Sequence, residues 1–158
     1  MSGFGLEKVL VCDPYKDQDE IRKTGGTPVA LNVLLKEADY ISLHVPLSEE
    51  TRHMIGERQF SMMKDTAIII NTSRGPVVHE EALCEALTAG RIKASGIDVF
   101  EIEPLPKDSC LLTLDNVILS DHTGYYSEES LVKLKTEAAR NIAEVLKGAK
   151  PVYPVNNF

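Results

Sequence analysis

The 158-residue sequence has no long hydrophobic run. Its longest apolar stretches are four or five residues, such as Ala67-Ile68-Ile69-Ile70, against the roughly 20 needed to span a bilayer. Positive charge is not in excess either. Lys and Arg number 17 against 24 Asp and Glu, a net charge of −7, so no basic face is available to displace counterions from a nucleic-acid backbone. Cysteine is scarce: Cys12, Cys84 and Cys110 are odd in number, far apart and set among apolar neighbours. That pattern predicts reduced, buried thiols rather than a disulfide frame or a metal site. No apolar leader follows Met1, and these absences together predict a cytoplasmic domain with neither membrane nor nucleic acid as partner. What is present is an ordinary globular composition, 43% hydrophobic and 26% charged, at a length that suits one domain with a real core.

Short apolar runs alternate with helix-compatible segments. Strands are predicted at Lys8–Cys12, Thr27–Ala30, Tyr40–Val45, Thr66–Asn71, Ala94–Phe100 and Asn116–Ser120. Helices are predicted at Lys16–Lys23, Leu31–Ala38, Glu57–Met63, Glu80–Ala89 and Ser127–Lys147. Pro14 and Pro46 stop strands, and Gly90 and Gly148 stop helices. Ser127 is placed to cap the longest helix, with Glu128 and Glu129 in its first turn. Thr66–Asn71 is a continuous β-branched run, expected to be buried on both faces. This alternation, without an internal repeat, predicts an α/β fold: a parallel sheet with helices on both faces, joined by right-handed crossovers.

In such a sheet, ligands sit at the carboxyl ends of the strands. The residues found there are Asp13, His44, Thr72-Ser73-Arg74, Asp98, Glu103 and His122. Each has a plain alternative. Asp13 is either a turn-former before Pro14 or a carboxylate that accepts hydrogen bonds from a ribose diol. Arg74 is either structural or a bidentate carboxylate binder, and the end of a strand suits the second role. His122 would be an ordinary surface histidine without Glu103, which has the chemistry to orient one ring nitrogen. His44, His53 and His79 have no such partner nearby in sequence, and His53 and His79 are read as solvated at helix entries. No histidine pair has metal-ligand spacing, so no metal is expected.

Three segments are read together: Ile70-Asn71-Thr72-Ser73-Arg74-Gly75-Pro76-Val77-Val78, Gly96-Ile97-Asp98-Val99-Phe100-Glu101-Ile102-Glu103-Pro104 and His122-Thr123-Gly124. They resemble the C-terminal motifs of the NAD-dependent D-isomer-specific 2-hydroxyacid dehydrogenases. Leu43-His44-Val45-Pro46 and Val11-Cys12-Asp13-Pro14-Tyr15 add to the resemblance, which runs from about Gly5 to Asn156. His122 to Ser130 is also similar to the branch that includes the C-terminal-binding-protein corepressors, with Tyr125 where that branch usually has tryptophan. The resemblance implies a Rossmann-like sheet and an oxidoreductase that passes hydride between nicotinamide and a small 2-keto or 2-hydroxy acid. By it, Arg74 binds the substrate carboxylate, His122 is the general acid and base, and Glu103 holds His122 protonated and oriented. Asp98 contacts the nicotinamide carboxamide and Asp13 the adenine ribose. His44, Val45, Pro46, Thr51, Thr72, Ser73 and Gly124 line the cofactor groove, together with Arg74 and His122. An aspartate at position 13 implies NAD rather than NADP, because a 2′-phosphate would meet a like charge.

Two departures from the family pattern matter. Asp121 stands where the family usually has proline, and it either acts on His122 or faces solvent. The Gly-x-Gly-x-x-Gly loop and its helix, which in the family precede the strand ending at Asp13, do not occur in these 158 residues, and Met1-Ser2-Gly3-Phe4-Gly5 resembles the tail of that helix. Residues 1–158 are therefore expected to form a partial dinucleotide-binding domain without the first strand, the glycine-loop helix or the substrate domain. Such a chain is expected to be inactive alone and to bind NAD weakly or not at all. Its open strand edges predict a homodimer or larger assembly. A non-catalytic binding or interaction module that keeps the fold is the second reading, and a truncation with no function of its own is a third.

Overall fold

The computed structural model describes residues 5–154, so the segment Met1–Phe4 of the expected helix tail lies outside the described residues, as does Asn156. Contacts divide the chain into two compact units, Met1–His122 and Thr123–Phe158. The first begins with β1 (Leu10–Val11), α1 (Gln18–Lys23), β2 (Thr27–Pro28) and α2 (Leu31–Glu37). It continues with β3 (Tyr40–Leu43), α3 (Glu57–Phe60), β4 (Ile68–Asn71), α4 (Glu80–Thr88), β5 (Ala94–Ile97) and β6 (Val117–Leu119). Two 3-10 turns that the periodicity did not reveal lie at Gly75–Val77 and Cys110–Thr113. The second unit carries α5 (Glu128–Leu146), capped by Ser127, whose hydroxyl accepts from the Ser130 N–H.

All strand pairs are parallel, in a four-stranded sheet of order β3-β4-β5-β6 and a two-stranded sheet of β1 and β2. Parallel pairing with helical crossovers is the α/β architecture that the alternation demanded. Among the described residues, β1 and β3 share no ladder, so each is paired along one edge only. Lys8 Nζ reaches Glu37 Oε2 at 3.1 Å and ties the approach to β1 to the end of α2.

The two faces of the larger sheet are unequal. One carries Ile41, Leu43, Ile69, Asn71, Ser95 and Ile97, all buried. Of these, Ile41, Leu43, Ile69 and Ile97 join Leu35, Ile55, Phe60, Val77, Leu83, Ile92 and Leu111 in a single core. The other face carries Tyr40, 66% exposed, and Ile118, 78% exposed, with Ile68 and Ile70 only half-buried between them. This corrects the expectation that Thr66–Asn71 is buried on both faces: β4 alternates half-buried and buried positions. β-branched content alone did not distinguish one covered face from two.

Cys84 on α4 and Cys110 are joined as a disulfide, with Cα atoms 6.3 Å apart, where reduced thiols were expected. Their contact is made by the chain returning from β5 across α4, which a sequence separation of 26 residues conceals. Cys12 remains free, and burial followed by the neighbouring Asp13 pushes its thiol up from the ordinary value. Closing a loop of this separation restricts the unfolded chain by about 3 kcal/mol in the chain-entropy picture. Replacing both Cys84 and Cys110 with serine is therefore expected to lower Tm by about 10 °C in scanning calorimetry. An unchanged Tm would show that the bridge contributes nothing to stability.

Candidate active site

Parallel strands point their carboxyl ends the same way, so β3 to β6 deliver their following loops to one edge of the sheet. His44, Val45 and Pro46 follow β3, Thr72, Ser73 and Arg74 follow β4, Asp98 and Glu103 follow β5, and His122 follows β6. Asp13 follows β1 in the separate two-stranded sheet. Gly124 belongs to the second unit.

Backbone bonds continue the ladder past the strands. The Asp98 N–H donates to the Asn71 carbonyl at 3.0 Å, and the His122 N–H donates to the Asp98 carbonyl at 2.8 Å. His122 is held there in the left-handed region, at φ 51°, a conformation that costs a non-glycine residue of order 1 kcal/mol and persists only where surroundings impose it. Its Nδ1 lies 2.9 Å from Glu103 Oε2. Glu103 Oε1 in turn accepts the Phe100 N–H at 3.1 Å. The bond to His122 is the largest cause holding the Glu103 carboxyl below the ordinary 4.5, followed by the Phe100 N–H, with the charges of His122 and Arg74 adding to it. An ionised carboxylate only accepts, so His122 Nδ1 carries the hydrogen and Nε2 is the nitrogen left to exchange a proton. Asp121 is exposed.

Asn71 closes β4 with a polar side chain that is 1% exposed. Its Oδ1 accepts from the Ser73 N–H at 3.1 Å and the Ser73 hydroxyl at 2.8 Å, and its Nδ2 donates to the Arg74 carbonyl at 3.0 Å. The Arg74 side chain is exposed, and its Nη1 donates to the Ser73 carbonyl at 2.6 Å. Asp98 is 4% exposed, and the Ser120 hydroxyl donates to its Oδ1 at 2.6 Å. Sequence reasoning passed over both Asn71 and Ser120. A polar residue ending an apolar strand was the available signal for the first, and the Ser120-Asp121-His122 run for the second.

After β1, the Asp13 Oδ1 accepts the Tyr15 N–H at 2.9 Å, and the Tyr15 hydroxyl donates to Glu50. The Thr51 hydroxyl donates to the Pro46 carbonyl at 2.7 Å and closes the loop after β3. His44 Nε2 shares a hydrogen bond of 2.8 Å with the Ser42 hydroxyl. His53 and His79 are not simply solvated as expected. His79 Nδ1 accepts the Ala82 N–H at 3.2 Å and so caps α4, its ring meets that of His53 edge-on at 4.6 Å, and His53 Nε2 lies 3.2 Å from Glu101 Oε1. They border a cavity of about 460 Å³ with Glu57, Glu81 and Glu85. Among the described residues no cluster of His, Cys, Asp and Glu has the arrangement of a metal site, and no helix is long and apolar enough to cross a membrane.

Residues 1–124 match the family described as D-isomer specific 2-hydroxyacid dehydrogenase, NAD binding domain. A glyoxylate reductase of Korarchaeum cryptofilum is 46% identical over 154 residues, which is 98% of this chain and 46% of that protein. A D-3-phosphoglycerate dehydrogenase of Methanocaldococcus jannaschii is 47% identical over 146 residues, 92% of this chain and 28% of that protein. Among solved structures, a D-lactate dehydrogenase with NAD+ from Lactobacillus jensenii superposes with a TM-score of 0.87 at 32% identity, covering 99% of this chain and 50% of that one. A D-lactate dehydrogenase of Aquifex aeolicus, complexed with NAD and lactic acid, gives 0.84 at 39% identity, covering 93% and 48%. The chain spans half or less of the length of each of these relatives.

The depressed Glu103 carboxyl fixes the sign of one pH effect. A group whose folded pKa lies below its unfolded value contributes stability that is fully present above the unfolded value and is lost as pH falls through the folded one. The stability difference between the unsubstituted chain and Glu103→Gln should therefore hold above the ordinary 4.5 and shrink below it. Tm measured against pH on both chains reads this directly. A difference that stays constant down through the acid range would mean that the pair with His122 does not hold Glu103 ionised.

Proposed function

The chain belongs to the D-isomer specific 2-hydroxyacid dehydrogenase family, matching its NAD-binding domain, and from that premise we propose that it forms the cofactor-binding half of an oxidoreductase interconverting a small 2-keto acid and a D-2-hydroxy acid. The observation that carries this reading is the Glu103–His122 pair at 2.9 Å, with the Arg74 charge acting on the same carboxyl. A fixed imidazole beside a guanidinium is the donor set that a 2-keto carboxylate needs.

In this reading Arg74 binds and orients the substrate carboxylate with two parallel N–H donors. On reduction His122 Nε2 gives its proton to the keto oxygen, and in the reverse direction it takes the proton from the hydroxyl. Glu103 keeps Nδ1 protonated and offsets the positive charge of the ring in its acid form. NAD, when bound, supplies or accepts the hydride. The donor set suits that cofactor: one oxygen of the Asp13 carboxylate accepts the Tyr15 N–H, and the other faces the demand of a ribose diol, with a charge unwelcoming to a 2′-phosphate. His44, Val45, Pro46, Thr51, Thr72 and Ser73 would line its groove, and Asp98, steadied by Ser120, would meet the nicotinamide amide.

The same reading includes self-association. The sheet face bearing Tyr40 and Ile118 is apolar and open, and β1 and β3 each present an unpaired edge among the described residues. Such surfaces favour pairing with another chain, here a second copy.

Two measurements test these statements. In a preparation that reduces glyoxylate with NADH, His122→Ala should lower turnover by roughly two to four orders of magnitude. Arg74→Ala should raise KM strongly. Near-normal turnover by the His122 variant would assign the proton to another group. Light scattering on the purified chain should give a dimer or larger species, and a monodisperse monomer would refute self-association.

A further inference from the structure

The loops that follow β4 and β5 touch backbone to backbone at one residue. A Cβ built on Gly75 would lie 1.9 Å from the Phe100 carbonyl oxygen, 2.0 Å from its carbon and 2.6 Å from the Glu101 nitrogen. Real Cβ atoms do not approach a peptide so closely, and a peptide in a packed loop cannot swing aside as a side chain does. Gly75 is buried, and the void beside it, lined in part by Asn71, Glu80 and Leu111, holds only about 10 Å³, about one water. The contact therefore has no slack.

On one side of it stands Arg74. Its carbonyl accepts from Asn71 Nδ2 at 3.0 Å, and the preceding Ser73 is pinned by Asn71 Oδ1. On the other side, the N–H of Phe100 donates to Glu103 Oε1, whose partner oxygen holds His122 Nδ1. A continuous chain of fixed contacts thus runs Arg74, Gly75, Phe100, Glu103, His122. The Glu101 end of the same peptide is fixed as well: its N–H donates to Glu80 Oε2 at 3.3 Å, while its own Oε1 accepts the Glu80 N–H at 2.8 Å.

We propose that Gly75 and Asn71 are positioning residues that lock the two loops together and so set the placement of the Arg74 guanidinium relative to the Glu103–His122 pair. The proposal rests on the reading of Arg74 and His122 as the groups that meet substrate. Asn71 fixes the backbone that carries the guanidinium. Gly75 transmits that placement by letting the Phe100–Glu101 peptide lie against its Cα, a contact that no residue with a Cβ can make. The arrangement couples a carboxylate-binding group and a proton-transfer group through one contact rather than through two independently folded loops.

The test reads the Glu103 carboxyl by carbon NMR on the purified chain, with melting and near-UV circular dichroism as controls for folding. In Gly75→Ala the Phe100 N–H is pushed off Glu103. The midpoint of Glu103 should then rise towards the ordinary carboxylate value, while the chain remains folded. A folded Gly75→Ala chain with an unmoved midpoint overturns the proposal. Should Gly75→Ala fail to fold, Asn71→Ser decides. In the unsubstituted chain Arg74→Gln should raise the Glu103 midpoint, because a nearby positive charge is removed. In the Asn71→Ser background the same change should have little effect, because the guanidinium is no longer held in place. An equal shift in both backgrounds overturns the proposal. Neither readout uses turnover, so a chain that shows the coupling and reduces no 2-keto acid in any preparation would sink the functional reading and leave the positioning role standing.

Discussion

The register of β4, β5 and β6 is the constraint on which the candidate site depends. Ile97 pairs with both Asn71 and Leu119, and the ladder then runs on through Asp98 to Asn71 on one side and to His122 on the other. A slip of one residue in any of these strands would turn its apolar set to the wrong face and carry its loop away from its neighbours. Burial of Ile69 and Ile97 on a single face, with Val117 and Leu119 packed against the same core, holds that register. The energy that fixes the site is therefore hydrophobic, and it is supplied one turn of chain away from the polar groups that it aligns.

The polar groups themselves are cheap in stability terms, and they are exposed. His122 and Glu103 keep 42% and 39% of their side-chain surface, so the attraction between them is screened and adds little to folding. Their value lies in direction. Glu103 can select the tautomer of His122 because its own position is taken from the Phe100 N–H rather than from its side-chain rotamer alone. The loop that carries it is stitched to the start of α4 by the mutual bonds of Glu80 and Glu101, by Ser109 on Glu80 and by the Cys84–Cys110 bridge. A loop so tethered holds a carboxylate in place where a free one would not.

Much of this was legible in the sequence. Runs such as Tyr40–Val45 and Thr66–Asn71 end in polar or proline-bearing segments, and the alternation with helices allows only a parallel sheet whose carboxyl edge collects His44, Arg74, Glu103 and His122. The strands came out shorter at their ends: β5 stops at Ile97, past which Asp98 still bonds the last residue of β4 but otherwise holds Ser120 and His122 after β6. What was not legible was contact between distant segments. Cys84 meeting Cys110, His53 meeting His79 and Glu101, and Gly75 meeting Phe100 each join segments distant in sequence, and none has a local signature. A glycine after an arginine reads as a turn until the peptide lying against it is seen.

The two faces of the larger sheet complete the physical picture. A parallel sheet is stable in isolation only when both faces are covered, because its strands are apolar on both sides. Here the core lies on one face, while Tyr40, Ile68, Ile70 and Ile118 share the other with partial or no cover. Those residues do nothing for the register of the described fold, since the buried face already fixes it. The open face and the candidate site are distinct places: Arg74 and His122 follow β4 and β6 at the carboxyl edge, and the uncovered area belongs to the sheet's flank. The self-association proposed above would cover the flank without occluding the edge where Arg74 and His122 stand.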